Sequence, residues 1–473
     1  MTSMLRRGVR QFKVDVSPLQ SSWRSNSPYT MFTSYPECRV STASNGVRVA
    51  TETLPGRTAT IQVWINAGSR YETAENNGAA HFLEHLKFKG TRQRTRVGLE
   101  KEVENIGAHL NAYTSREHTV FFASVFQDHI PQSMDILSDI LQYSRLDPRA
   151  IDVERDVILR ELQEIESIPE EVVFDRLHES AYPGQSLGHT ILGSAEQIAR
   201  NINRDMLLAY IDRHYTTDRF LVVGTGAVDH DQLVELTEKH FGDLNPPPAD
   251  PLTLAPAQFT PGDTRVRNDE LGRAHWALAF KTEGVNSADA IPLLYLQTLL
   301  GKFDRGLASQ TAAAGNYSHS NLVESVIKSD CVDKLSPFVS LYNDTGLFGL
   351  YVEARPCDLN EAVYQIMNGI CKTCYDLTDE KVLMARHMLK AATLTALDGT
   401  TTLADEVGRQ MLCHGRRIHP AEIVARIDNI DTEAVRACAK KYLEDADLVV
   451  SALGAINELP DYDVIRRRTY WNR

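Results

Sequence analysis

The chain has 473 residues, 42% hydrophobic and 24% charged, which is enough apolar side chain to bury a core and enough length for two or more domains, and excludes disorder as the main state. A net charge of −13 has the wrong sign for a nucleic-acid binder, and no run approaches the ~18 apolar residues of a membrane-spanning helix. The seven scattered cysteines do not read as a disulfide framework, so a reducing compartment is expected.

Residues 1–35 carry Arg6, Arg7, Arg10, Lys13 and Arg24 against one acid, Asp15, with seven serines between them. Arg-rich, Ser-rich and acid-poor is the profile of a mitochondrial transit segment; whether it is cleaved stays open. Thr60–Asn66 alternates as a half-buried strand, Ala79–Phe88 and Val97–Ile106 read as helices, and Gly107 closes the second at a C-cap position. Leu110–Thr114 and Thr119–Val125 follow as strands around a polar turn at Ser115–His118. Ile130–Tyr143 and Arg149–Ile165 are periodic helices. Gly224-Thr225-Gly226 reads as a strand-end turn. Residues 245–262 hold six of the nineteen prolines and predict an extended linker. Beyond it, Ala274–Lys281, Phe338–Tyr342 and Gly346–Val352 read as strands, Leu359–Tyr375 and Asp379–Leu397 as helices. Cys371 and Cys374, an isolated CxxC on the first of these helices, read as core. The expected fold class is α+β, with two halves of similar length at 36–244 and 263–473. Identity between the halves is too faint to show a repeat in the letters.

His81-Phe82-Leu83-Glu84-His85 carries the chemistry. Two histidines four apart on a helix project from one face and can share a metal ion. Glu84 lies beside the second, where a carboxylate can work on a water molecule; this is the inverted order of the zinc-peptidase helix. A catalytic zinc needs a third protein ligand and an open position. The helix VERDVILRELQEIE offers Glu154, Glu161, Glu164 and Glu166. Glu154 and Glu161 share a face with Ile158 between them, but the chemistry alone does not choose Glu161 over Glu164.

The segments HFLEHLKFKGT, NIGAHLNAYTSREHT, ERDVILRELQEIE, EEVVFDRLHESAY and LGHTILGS resemble the M16 metallopeptidase family. The resemblance runs from about Val40 to SALGAINELP, and in the second half it is carried by LYNDTGLFGLY and ALDGTTTLADEVGRQ. More narrowly, it resembles the branch that holds β-type presequence-processing subunits and core subunits of respiratory complex III. The resemblance implies two related α+β halves, each a mostly antiparallel sheet backed by helices, with a zinc motif in the first only. It implies one Zn²⁺ held by His81, His85 and Glu161, with Glu84 as general base and Glu154 in support. Asn111 and Ala112 fall where the family presents an edge strand to substrate. Phe88 falls at the pocket for the residue after the scissile bond, and its other reading is core packing. Glu171 and Asp175 match acidic positions that receive a substrate arginine. The stretch Ser325–Asp333 lacks the Arg and Tyr, seven apart, of single-type bacterial relatives. No long glycine-rich loop is present, TAAAGN at 311–316 being the nearest. The resemblance therefore implies an α-type partner with such a loop, basic presequence peptides as substrates, and a mitochondrial matrix location, on the matrix side of the inner membrane. Two readings remain: a catalytic processing subunit, free or within complex III beside its other subunits, and a non-catalytic structural core subunit of that complex.

Overall fold

The computed structural model describes residues 35–250, 252–306 and 320–470. Residues 1–34 of the basic segment and the TAAAGN stretch lie outside the described residues. The first half forms a six-stranded sheet from β1 (Arg39–Thr42), β2 (Arg48–Thr53), β3 (Thr58–Ile65), β4 (His109–Thr114), β5 (Thr119–Phe126) and β6 (Phe220–Gly226), in the order β1-β2-β6-β3-β5-β4. The second forms another from β7 (Gly262–Arg267), β8 (Ala274–Thr282), β9 (Phe303–Asp304), β10 (Lys334–Leu341), β11 (Gly346–Ala354) and β12 (Leu448–Gly454), in the order β7-β12-β8-β11-β10-β9. In each sheet one pair is parallel, β2 with β6 and β7 with β12, and the rest are antiparallel. The fold is α+β, as the element pattern predicts.

The described part of 245–261 forms no helix or strand beyond a bridge of Asn245 to Thr216. The predicted Phe338–Tyr342 strand starts earlier, at Lys334, and runs through Pro337. A proline is tolerated there because β10 is nearly an edge: only Lys334 and Leu335 pair with β9. Cys371 and Cys374 are buried thiols of the Leu359–Tyr375 helix.

Three helices position the site. Helix α1 (Ala79–Lys87) buries Phe82, Leu83 and Leu86 against the first core, which turns His81, Glu84 and His85 the other way. Its start is fixed by Glu72, a buried acid that accepts from the backbone N–H of Gly78 and Ala80 at 2.8 and 2.7 Å. Gly78 has φ of 95° and lies so close to Leu192 O that a Cβ would stand 2.5 Å from it, a position only glycine fills without strain. Helix α2 (Pro148–Glu166) opens on an Asp147 cap with Pro148 in its first turn, and buries Ile151, Glu154 and Ile158. Pro169 then starts a separate helix, α3 (Pro169–Ala181).

The two halves exchange helices. Val173, Leu177 and Ala181 of α3 pack on the second sheet, against Ala277, Ala279, Leu347, Tyr351 and Val449. Helix α4 (Thr400–Cys413), from the second half, returns to the first sheet, where Leu403, Ala404, Val407 and Met411 meet Ala50, Trp64, Val120, Leu221 and Val223. Each sheet thus has one face on its own helices and the other on a helix lent by the opposite half.

Candidate metal centre and substrate edge

The spacing of α1 and α2 brings three potential ligands together. His81 Nε2 lies 3.6 Å from Glu161 Oε1, and His85 Nε2 lies 3.3 Å from Glu161 Oε2. The donor atoms of His81, His85 and Glu161 all fall within 4.8 Å of one another. Ile151, Glu154, Ile158 and Glu161 form a 3-4-3 stripe on α2, so the packing that buries the isoleucines also aims both acids at α1. Glu164 is exposed.

The donor set fits a zinc ion. Ligand atoms at ~2.0–2.1 Å from a tetrahedral zinc are roughly 3.3 Å apart, close to the two separations here. Glu161 Oε2 is buried without a hydrogen-bond partner, and so is His81 Nδ1; the three groups converge without satisfying each other. His85 Nδ1 lies 2.9 Å from Glu154 Oε1. An ionised carboxylate only accepts, so Nδ1–H donates and the Nε2 lone pair faces Glu161. Burial pulls the His85 pKa down, but the neighbouring carboxylates of Glu161 and Glu154 outweigh it and leave the value raised. The neighbouring imidazoles of His81 and His85 hold the Glu161 carboxyl well below the usual range. The space between these groups therefore favours positive charge, as proton or cation.

The structure adds partners that sequence reasoning missed. Lys89 Nζ lies 2.8 Å from Glu154 Oε2, so the buried Glu154 spans His85 and a lysine one turn later. The i, i+4 spacing of His85 and Lys89 was available as a signal. Thr114 Oγ1 donates to Glu84 Oε2 at 2.6 Å, and Glu72 caps α1; neither contact has a local signature in the sequence.

Among the described residues strand β4 pairs only with β5, which leaves its outer edge open to them. Asn111 is exposed, Ala112 is buried, and the Ala112 N–H donates to Asn111 Oδ1 at 2.8 Å. Phe88 closes α1 and packs on Phe121, with ring centroids 6.0 Å apart. Glu171 and Asp175 lie one turn apart on α3. Glu171 is exposed, whereas Asp175 Oδ1 already accepts from Arg116 Nη2 at 2.8 Å. An arriving arginine would find only the other oxygen of Asp175 free of that bond.

Residues 48–195 match the insulinase family, peptidase family M16, and residues 201–389 match the peptidase M16 inactive domain. Mitochondrial-processing peptidase subunit beta of Blastocladiella emersonii is 44% identical over 457 residues, 96% of each chain. The probable mitochondrial-processing peptidase subunit beta of Arabidopsis thaliana is 44% identical over 93% of this chain and 82% of its own length. The human subunit is 41% identical over 93% and 88%. A chain from a structure of Complex III2 from Candida albicans, Inz-5 bound, superposes with a TM-score of 0.81 at 23% identity, covering 92% of this chain and all of that one.

Proposed function

Because this chain belongs to the M16 peptidase family, we propose that it is the catalytic β-type subunit of a zinc endopeptidase that removes basic presequences from mitochondrial precursors. The observation that carries the reading is the convergence of His81, His85 and Glu161, with Glu84 beside them and Glu154 behind His85. A purely structural core subunit would have no use for this donor set. The relatives named as processing-peptidase β subunits support the substrate class.

In this reading His81, His85 and Glu161 hold zinc, which when bound polarises a carbonyl and makes water more acidic. Glu84 takes the proton of the attacking water on its carboxylate and delivers it to the leaving nitrogen. Glu154 fixes the His85 tautomer, and Lys89 holds Glu154 in place. The open edge of β4 at Asn111 and Ala112 takes the peptide as an added strand, a mode that reads the backbone and accepts many sequences. Phe88 borders the pocket after the cut, and Glu171 with Asp175 receives the substrate arginine. The division at 245–262 belongs to the same proposal: strands of the first sheet end by Gly226 and those of the second begin at Gly262. So do an α-type partner supplying a glycine-rich loop and a place on the matrix side of the inner membrane, free or within complex III. No described helix is long and apolar enough to cross a membrane.

The test is reconstitution. Combined with an α-type subunit, the chain should cleave arginine-bearing presequence peptides, and Glu84→Gln should abolish cleavage while zinc stays stoichiometric. Retained turnover by that variant would sink the general-base assignment. Efficient cleavage by this chain alone would contradict the need for a partner.

A further inference from the structure

We propose that Thr114, the last residue of β4, is a positioning residue for Glu84, tying the catalytic carboxylate to the strand whose edge receives substrate. The inference rests on the reading of Glu84 as general base. Thr114 Oγ1 donates to Glu84 Oε2 at 2.6 Å, and among the described residues no other side chain is hydrogen-bonded to Glu84. One carboxylate oxygen is thereby held, and the other is left free to take and return a proton. A glutamate carboxylate, carried beyond several rotatable bonds, samples many orientations. A single charge-assisted donor at this distance selects one of them.

The donor itself is held firmly. Thr114 pairs with Thr119 across the hairpin, and the next four residues form a turn braced on every side. Ser115 N–H donates to His118 O at 2.7 Å, and Ser115 Oγ accepts from His118 N–H at 3.0 Å. The backbone N–H of Arg70 donates to Arg116 O at 2.8 Å. Gly68 lies so close beneath that a Cβ there would stand 2.2 Å from Ser115 O. Arg116 reaches Asp175 on α3, and Glu117 accepts from Arg70 at 2.7 Å and from Asn343 N–H at 3.2 Å. Arg70 also reaches Asp344, so the second half grips this turn. Thr114 stands between that anchored turn and the part of β4 offered to substrate, and its hydroxyl joins both to Glu84. Strand and base are therefore aligned by one side chain, 30 positions from the carboxylate it serves.

The experiment compares Thr114→Val, which keeps the β-branched shape but has no hydroxyl, with Thr114→Ser, which restores the donor. Both are assembled with the α-type subunit and assayed on an arginine-bearing presequence peptide. Zinc content and the thermal midpoint are measured on the same preparations, with Glu84→Gln as the reference. The expected result is a fall in kcat of about tenfold for Thr114→Val, the loss of one charge-assisted hydrogen bond. KM, zinc content and midpoint should stay near those of the parent, and Thr114→Ser should recover most of the rate. An unchanged kcat in Thr114→Val would overturn the inference, as would a loss expressed in KM, zinc or the midpoint, or a serine variant as poor as the valine. If Glu84→Gln itself keeps turnover with zinc bound, the general-base reading fails, and the role of Thr114 falls with it.

Discussion

Glu161 and Glu164 are less than one turn apart on α2, yet only one meets the histidines. The difference is the buried stripe: Glu161 continues Ile151, Glu154 and Ile158, whereas Glu164 has rotated away to solvent. Glu161→Gln should therefore lower zinc affinity by more than about a hundredfold in chelator competition, because in the proposed site one of three ligands loses its charge. Glu164→Gln should leave affinity within about a factor of two. The reverse order would mean that the helix register around the metal is wrong. At this scale the sequence was informative where the chemistry is local. The HxxEH spacing fixed which face of α1 carries His81, Glu84 and His85, and the i, i+7 relation put Glu154 with Glu161. It was silent where a contact joins distant segments, as in Glu72 beneath α1 or Thr114 against Glu84, because nothing in either residue's neighbours encodes its partner.

Most elements of the first half were legible because each carries its own period and punctuation, such as Gly107 at φ 63° after the Arg96–Asn105 helix. Their assignment to a sheet face was not. Helix α4 looks like any amphipathic helix of the second half, yet it covers the first sheet. Its seat is polar as well as apolar: Gln62 Nε2 and Tyr113 OH donate to Asp405 Oδ1 at 2.9 and 3.1 Å, and Thr225 Oγ1 donates to Thr400 O at 2.6 Å. The closest approach is at Gly408, where a Cβ would stand 2.1 Å from the Trp64 ring. Alanine is favoured over glycine inside a helix by about 1 kcal/mol. Here the clash should win, because Trp64 is 3% exposed and has nowhere to move. Gly408→Ala should destabilise the chain by about 1–3 kcal/mol, the usual cost of overpacking, read as a lower urea midpoint. A midpoint at or above that of the parent would show that α4 can lift off the sheet without cost.

At the scale of the whole molecule the chain is two versions of one design. The order β2-β6-β3-β5-β4 recurs as β7-β12-β8-β11-β10, with the same parallel pair. Gly68 and Gly284 each lie under the carbonyls of their own hairpin turn, at Ser115–Arg116 and Tyr342–Asn343. The letters hide this repeat because a fold needs only a pattern of buried positions, which many residues satisfy, and the shared glycines are single positions in long stretches. The same buried architecture sets the response to acid. His178 is enclosed between Phe174 O and Tyr342 OH, His214 accepts from Arg219, and His118 lies against Trp64. Burial pushes their pKa values from the ordinary 6.5 down to about 3, 3 and 4. For a depressed group the stability is full above the unfolded value and is lost as pH falls toward the folded one. Each of the three therefore contributes up to ~1.4 kcal/mol of lost stability per pH unit below 6.5. Glu72 opposes them: burial raises its pKa to about 7, so its contribution is full below 4.5 and is lost as pH rises through 7. Glu117, Glu353, Asp405 and His85, also raised, act with Glu72, but His189, His230, His240, His275, His414 and His419, also lowered by burial, join the three and leave a net loss on acidification. The urea midpoint should fall steadily from pH 6.5 to 5, above the range where ordinary carboxylates titrate. His178→Gln cannot take up the proton, so it should be less stable at pH 7 but should flatten that slope by about one proton. An unchanged slope in the variant would mean that His178 is already charged within the fold, against the hydroxyl and carbonyl that enclose it.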